Sequence, residues 1–437
     1  MSPSSVVRQL REHIDELSSS IVAQEAVLHN LRTQRGEARR KLNRFLDPMA
    51  RLPFEIQSHI LLSVDLDSEP PRPDSHAPPM VLTNVCWLWR DIALATPKLW
   101  DALLLDLPRG PQYAEFCKLW LSRACSQSLS LKLSGSLKLQ GDIQELVTTY
   151  RNQIENLSFT ALSPYSLEVP CMVFYLDPRF PLSSLKTLSF EADEDADFST
   201  MSRWLGVLRA APALASLTMR NMSFLVGYGE LPPRTLTLPS LEVLHVGQPY
   251  RFAVYRKDGS TAVVLQYLTL PALKTLNVSD VDISKQEFVS FLSRSSPSLE
   301  SFHLTIPHDW SVNAMSQLLR PVPSLSFLEL SSDSGLTAFL PSIEALSTSD
   351  VLPNLRQLTF NTNGYVSIAH YGKVLSMLTF RCTSCPTRLD SFVLNLPSEE
   401  SEDHAHDLPA AEVRAALRRL VDDGLNIHIG PRSENLL

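Results

Sequence analysis

The sequence predicts an α/β fold, in which a helical N-terminal part precedes an array of repeats that each contain one strand and one helix. Three observations lead to this prediction. The motif L-x-x-L-x-φ, where φ is apolar, recurs eight times between residues 185 and 394. The first leucines of successive copies lie 29, 27, 32, 26, 26, 30 and 34 residues apart. Residues 5–45 instead carry apolar side chains at alternating intervals of three and four, the period of an amphipathic helix.

The repeated motif is the signature of leucine-rich repeats, in which each unit buries its leucines against its neighbours. The copies begin at Leu185, Leu214, Leu241, Leu273, Leu299, Leu325, Leu355 and Leu389. Weaker copies begin at Trp100, Ser128 and Ile154. Helical patterns lie between copies, at 201–211, 284–295, 312–320 and 339–346. A last helix at 410–422, followed by the strand LNIHI, would cap the end. We therefore predict a leucine-rich-repeat solenoid over residues 101–437.

This solenoid is expected to be irregular. The turn asparagine of the repeat consensus is present only as Asn363, with Asp193 and Asp333 as partial substitutes. The spacing also varies, and residues 247–262 suggest an inserted hairpin.

Residues 1–45 form the first predicted unit, a heptad helix. The heptad pattern places eleven residues on one face of this helix, which we call the seam. They are Leu10, Ile14, Leu17, Ile21, Gln24, Leu28, Leu31, Arg35, Ala38, Leu42 and Phe45. Eight of the eleven are strongly apolar, all except Gln24, Arg35 and Ala38. Two interpretations stay open. The helix dimerises as a coiled coil through residues 5–45, or it is a lone amphipathic helix packed on its own domain or partly frayed.

Residues 46–100 form the second predicted unit. Apolar helices are expected over 53–63 and 80–95, and a flexible, proline-rich insert is expected over 66–79. In the second helix one face would collect Leu82, Val85, Cys86, Trp89, Ile92 and Ala93.

This unit resembles the F-box. The resemblance rests on Leu52-Pro53-Phe54-Glu55-Ile56, on the continuation Ile60-Leu61-Leu62 and on Val85-Cys86-Trp87-Leu88-Trp89-Arg90. The order of the units resembles F-box proteins with a C-terminal leucine-rich-repeat array. The resemblance implies docking on a Skp-family adaptor, and through it on a cullin. The implied adaptor-facing residues are Leu52, Pro53, Glu55, Ile56, Ile60, Leu61, Val85, Cys86, Trp89 and Arg90. The insert at 66–79 departs from the family pattern, and two outcomes stay open: it loops out without effect, or it weakens adaptor binding.

Composition argues against several other functions. The formal net charge of −8 offers no basic field for nucleic acid. No apolar run approaches the ~18–20 residues that cross a bilayer, and the N-terminus has no apolar signal core. We therefore expect a cytoplasmic and/or nuclear protein. No catalytic motif is present, and the CxxC at Cys382 and Cys385 lacks a second ligand pair. We expect no enzyme activity, no cofactor and no metal.

The polar face of the predicted strands is the expected substrate surface, because repeat proteins usually bind through it. Its most distinctive members are His245, His303, Phe327 and Glu329; each is alternatively an ordinary solvated strand residue. The sequence thus predicts a substrate-recognition adaptor of a Skp–cullin–F-box ubiquitin ligase with an unknown protein substrate. The alternative is a ligase-independent scaffold that binds proteins through its solenoid.

Overall fold

The computed structural model describes the chain except residues 1–2, 65–69, 75, 108–110, 136–140, 162–180, 226–234, 248–260, 280–283, 307–309, 333–334, 365 and 398–408. Two compact units are present. The first comprises residues 1–101 with 120–125, and the second comprises residues 102–119 with 126–437. We call them the helical unit and the repeat unit.

The helical unit begins with one long helix, followed by three short ones. These are α1 (Pro3–Leu46), α2 (Phe54–Leu62), α3 (Pro78–Val85) and α4 (Trp87–Leu94), with short 3-10 turns at Pro48–Arg51 and Pro97–Leu99. Asp47 caps the first turn by accepting a hydrogen bond from the Met49 N–H. Pro53 precedes α2, where the lack of a backbone donor is tolerated.

The expectation of one helix over 80–95 is wrong. Cys86 is extended, with φ −158° and ψ 174°, and it separates α3 from α4. The thiol of Cys86 lies 3.9 Å from Asp47 Oδ2. The predicted common face of six residues is therefore split: Leu82, Ile92 and Ala93 are buried, but Val85 is 55% exposed.

The predicted flexible insert needs a partial correction. Its residues 66–69 and 75 lie outside the described part of the chain. Within the described part, Pro73, Ala77 and Pro79 are buried, and α3 begins at Pro78. The end of the insert that leads into α3 is therefore packed.

Trp100 is one of the two largest core side chains of the helical unit, the other being Trp120. It is fully buried, and its ring meets that of Trp120 edge to face, with centroids 4.9 Å apart. Its Nε1 donates to the Ala93 carbonyl at 2.8 Å, which satisfies the one polar atom of the indole. The guanidinium of Arg123 lies 4.4 Å from the Trp100 ring centroid.

The repeat unit contains fourteen described strands. In chain order they are β1 (Ala102–Leu107), β2 (Leu129–Gly135), β3 (Ile154–Ala161), β4 (Thr187–Thr200), β5 (Ser216–Leu225), β6 (Leu236–Thr237), β7 (Val243–Gly247), β8 (Leu268–Thr269), β9 (Thr275–Ser279), β10 (Ser301–Thr305), β11 (Phe327–Ser332), β12 (Gln357–Thr362), β13 (Ser391–Asn395) and β14 (Asn426–Gly430). β6 and β8 pair with each other, and the other twelve form one open parallel sheet in chain order. This confirms one strand per repeat, including the weak copies and the last strand.

Eight described helices accompany these strands. They are α5 (Pro111–Arg123), α6 (Gly141–Tyr150), α7 (Met201–Arg209), α8 (Lys285–Ser295), α9 (Val312–Leu319), α10 (Leu340–Leu346), α11 (Ile368–Thr383) and α12 (Ala411–Asp422). The five helices predicted from the sequence are confirmed as α7 to α10 and α12. The predicted hairpin at 247–262 lies almost wholly outside the described residues, and Thr261–Tyr267 forms a 3-10 helix.

The core of the repeat unit follows from the register of the motif. The second core position of each repeat faces that of the next, in the row Leu244, Leu276, Phe302, Leu328, Leu358 and Phe392. Each of these side chains is at most 1% exposed. Burial of such a side chain contributes about 1.5–3 kcal/mol, so each repeat depends on its neighbours for its core.

Charged residues occupy the second position of the motif, just before the strand, in six of the eight copies; Ala215 and Ser326 are the exceptions. Lys186 pairs with Glu155, and the Lys274 ammonium lies 3.0 Å from Glu242. Arg356 Nη1 lies 3.3 Å from Asp390 Oδ2. These ion pairs link successive repeats along one edge of the sheet.

A further global property concerns bilayers. Among the described residues, no helix combines the length and the apolar character that a transmembrane span requires.

Candidate protein-interaction surfaces

The helical unit exposes apolar side chains on two of its short helices. Ile56 and Ile60, one turn apart on α2, are 47% and 36% exposed. Val81 and Val85, one turn apart on α3, are 47% and 55% exposed. Phe54 adds to them at 45%. We call these five side chains the apolar surface of the helical unit.

The opposite side of α2 holds it in place. Leu61 is completely buried, so its predicted role in facing an adaptor is corrected to one in the core. Gln57 is also buried, and its Nε2 donates to the Met49 carbonyl at 2.7 Å and to the Leu52 carbonyl at 2.9 Å. A buried amide with its donors satisfied fixes the chain ahead of α2, and this leaves Leu52, Pro53 and Glu55 exposed.

The remaining predicted residues lie around the break between α3 and α4. Arg90 Nε donates to the Thr83 carbonyl at 2.9 Å, so the guanidinium bridges the two helices. Cys86 and Trp89 are half-buried. The ring of Trp87 lies 5.2 Å from the guanidinium carbon of Arg44, at the end of α1.

The repeat unit brings three of its four predicted substrate-face residues together. His303 Nδ1 lies 2.8 Å from Glu329 Oε2, and the His303 and Phe327 rings are 5.1 Å apart. His245 occupies the same row of the sheet, since it is in register with Asn277, which is in register with His303. It is two strands away from His303 and makes no described contact with Phe327 or Glu329.

Two asparagines extend this cluster, and neither was predicted from the sequence. Asn361 Nδ2 donates to Glu329 Oε1 at 2.5 Å and lies 3.3 Å from Ser331 Oγ. Asn395 Nδ2 donates to Asn361 Oδ1 at 2.7 Å. Both asparagines lie three positions after the second core residue of their repeat, whereas only the two flanking positions were considered. The two asparagines could therefore have been found by reading two positions further along each strand, beyond Thr359 and Val393.

A cavity of about 620 Å³ opens beside this polar cluster. It is lined by Glu329, Ser331, Asn361, Thr362, Asn363, Asn395, Leu396, Pro431, Arg432 and Ser433. The lining is mainly amide, hydroxyl and one ion of each sign, so it suits a ligand that both donates and accepts hydrogen bonds.

The cluster fixes the charge of Glu329. Its hydrogen bond with His303 lowers the pKa of the carboxyl below its ordinary value, the bond from Asn361 adds to this effect, and burial opposes it. Glu329 is therefore ionised at neutral pH. Burial lowers the pKa of His245, and the nearby Arg220 and His303 lower it further, so His245 is neutral at pH 7.

The CxxC pair lies at the end of a helix. Cys382 is in the last turn of α11 and Cys385 follows it; both thiols are free. Burial raises the pKa of Cys382, whereas a reactive redox cysteine has a lowered pKa and often lies at a helix N-terminus. Among the described residues, no group of three potential metal ligands is present.

Comparisons with known proteins give little further information. No protein-family model matches the sequence, and no curated protein matches it. A chain from a crystal structure of a TLR13–ssRNA13 complex matches with 16% identity and a TM-score of 0.31. The match covers 62% of this chain and 40% of that chain. The leucine-rich-repeat-like fold is therefore assigned from the twelve-stranded sheet itself.

Proposed function

We propose that this chain is the substrate receptor of a Skp–cullin–F-box ubiquitin ligase. In this proposal, the helical unit docks on the Skp-family adaptor and the polar face of the sheet binds a protein substrate. The observation that carries it is the apolar surface on α2 and α3, which includes Ile56, Ile60 and Val85 of the F-box-like motifs. Exposed apolar pairs at helical spacing are typical of a surface that a partner covers.

The mechanism needs no chemistry from this chain. A receptor of this kind holds its substrate near the catalytic partner, so that binding energy raises the local concentration of the reacting groups. The apolar surface would supply the adaptor contact, because buried apolar anchors dominate interface energetics.

The polar cluster on the sheet favours one class of substrate segment. Asn361 and Asn395 each carry donors and an acceptor, as a peptide bond does, and Glu329 with Arg432 provides both signs of charge. A polar, uncharged protein loop fits this lining better than an acidic or phosphorylated one.

Adaptor binding is tested with the full chain and purified Skp-family adaptor. Ile56→Asp should weaken binding at least about 30-fold, because a charge placed in a buried apolar contact costs about 2 kcal/mol or more. Ile368→Asp is the matched control: Ile368 lies on α11 of the repeat unit and is 48% exposed, against 47% for Ile56. Calorimetry measures both constants. Equal affinities of the two variants, or no binding by the unmodified chain, would refute the docking proposal.

A ligase-independent scaffold is the second candidate, and the polar cluster favours it equally. Proximity labelling in cells with and without proteasome inhibition separates the two. A ligase substrate should accumulate on inhibition, whereas a scaffold partner should not. Asn361→Ala should lose the labelled partner that Asn156→Ala retains, since Asn156 is exposed on β3 of the same sheet.

A further inference from the structure

The apolar seam of α1 is uncovered in this structure. Its eight large apolar members are 46–75% exposed: Leu10, Ile14, Leu17, Ile21, Leu28, Leu31, Leu42 and Phe45. No seam residue among those whose side chains are described is buried. The interpretation in which this helix packs on its own domain is therefore wrong for the described residues. Only another molecule could bury the seam.

The two polar seam residues restrict how a second copy fits. In a parallel, in-register pair each seam residue faces its own counterpart, so the guanidinium of Arg35 would face that of the partner's Arg35 inside the contact. Like charges in this position oppose association. An antiparallel pair can avoid this contact between two arginines. The residue numbers of the two helices then run in opposite directions, so the numbers of two facing residues add up to the same value in every layer.

One antiparallel register satisfies both polar residues together. When the two positions sum to 59, Gln24 faces the partner's Arg35, and the remaining layers are Ile14–Phe45, Leu17–Leu42, Ile21–Ala38 and Leu28–Leu31. Each layer occurs twice by symmetry. The amide oxygen of Gln24 is an acceptor for the guanidinium, so neither polar group faces a purely apolar layer.

The flanking charges select the same register. In this register Glu25 lies beside the partner's Arg32, and the symmetry repeats the pair. A shift of one heptad, to a sum of 52, would place Glu25 beside the partner's Glu25 and Arg35 against Leu17. The whole helix agrees with the antiparallel arrangement, since residues 8–25 carry four acids and two arginines, and residues 32–44 carry six bases and one acid.

We propose that two copies of this chain associate through α1 as an antiparallel coiled coil over residues 14–45, in the register that pairs Gln24 with Arg35. This inference does not rest on the proposed ligase function. It places the two copies of residue 45 about 46 Å apart along the coiled coil, at 1.5 Å per residue over 31 residues. The segments 46–101 of the two copies would then follow opposite ends of the coiled coil.

Charge exchange on the full chain tests the register. Glu25→Arg and Arg32→Glu should each weaken the dimer about tenfold in sedimentation equilibrium, because each turns two attractions into two repulsions. The double variant should return to within about threefold of the original constant. Glu12→Arg, on the outer side of the helix, is the control and should leave the constant unchanged.

Other arrangements predict different results. In a parallel dimer Glu25 lies beside Ser20 and Arg32 beside Val27, so neither single variant would change the constant. A monomeric unmodified chain, or a double variant as weak as the singles, would also overturn the proposal.

Cross-linking gives an independent measurement. In a mixture of Ile14→Cys and Phe45→Cys chains under mild oxidation, mass spectrometry should find a disulfide between positions 14 and 45. A disulfide that joins two copies of position 14 would contradict the antiparallel arrangement.

Discussion

Replacing Arg381 with methionine tests how the repeats are held together. Arg381 lies in α11 and is 1% exposed. Its guanidinium donates to three carbonyls, that of Leu346 at the end of α10 at 2.7 Å and those of Val351 at 2.7 Å and Leu352 at 2.9 Å in the loop that follows α10. Leu352 has a φ of +49°, a conformation that persists only where its surroundings hold it. The substitution keeps an apolar stem but removes every donor.

The expected loss of stability is about 3–5 kcal/mol. A hydrogen bond to a charged group contributes about 1.5–3 kcal/mol, and three of them are lost together. Release of a buried cation offsets part of this loss, since burial disfavours the charged form and lowers the pKa of Arg381.

Urea denaturation measures the change, and hydrogen exchange at residues 346–352 locates it. Arg320→Met is the matched control: its guanidinium contacts Asp350 of the same loop at 2.9 Å, but both side chains are more than half exposed. The control should change stability by less than about 1 kcal/mol. If Arg381→Met costs no more than Arg320→Met, the carbonyl contacts do not hold the loop, and the reasoning fails.

Three further predictions concern single sites. Gly247→Ala should cost about 2–4 kcal/mol in urea denaturation, because φ is +154° and a Cβ would lie 2.8 Å from the Ser279 nitrogen. Gly372→Ala, with nothing within 4 Å, should instead stabilise the chain by about 0.5–1 kcal/mol; equal effects would contradict this account. Cys117 should resist alkylation at pH 8, because burial raises its pKa to about 12, whereas exposed Cys125 should react; rapid labelling of both, read by mass spectrometry, would show that the site opens. Glu329 has a folded pKa below its ordinary value of 4.5, so its stabilisation is present above that pH and disappears as the pH falls through the folded pKa. The stability difference between the original chain and Glu329→Gln should therefore shrink below about pH 4.5, and a constant difference would argue against an ionised, hydrogen-bonded carboxylate.

The repeat unit could be predicted closely from the sequence, because its stability comes from contacts between neighbours at fixed spacing. Every strand that begins at an L-x-x-L-x-φ copy is present, since the leucines that define the motif are also the buried row of the sheet. The spacing of the leucines in the sequence therefore gives directly the spacing of the buried residues in the structure. Helix α8, for example, ends at Ser295 as its sequence pattern predicts.

The helical unit was less predictable for a physical reason. The apolar pattern over 80–95 has a helical period throughout, but Cys86 adopts an extended conformation. No proline or glycine marks the break, and a tertiary contact to Asp47, 39 residues away, accompanies it. Leu61 and Ile60 are adjacent and equally apolar, so sequence alone could not assign one to the core and the other to the surface.

The candidate site was predicted in part. His303, Phe327 and Glu329 were selected because they are unusual on a face of small polar residues, and they do lie together. Asn361 and Asn395 are ordinary turn residues in sequence. Their role depends on parallel register, which places Asn361 beside Asn395 and Ser331.

The ion pairs that link successive strands have a consequence for how such an array can change. Because Lys274 stands between Glu242 and Glu300 in the order of the sheet, removal of residues 274–299 would bring two acids together at the new junction. A duplication or deletion of one repeat therefore changes the match of charges at its boundary, although the core row would remain apolar, with Leu244 beside Phe302 in this case. The same position is neutral in two copies, at Ala215 and Ser326, so the repeats are not interchangeable at their charged edge.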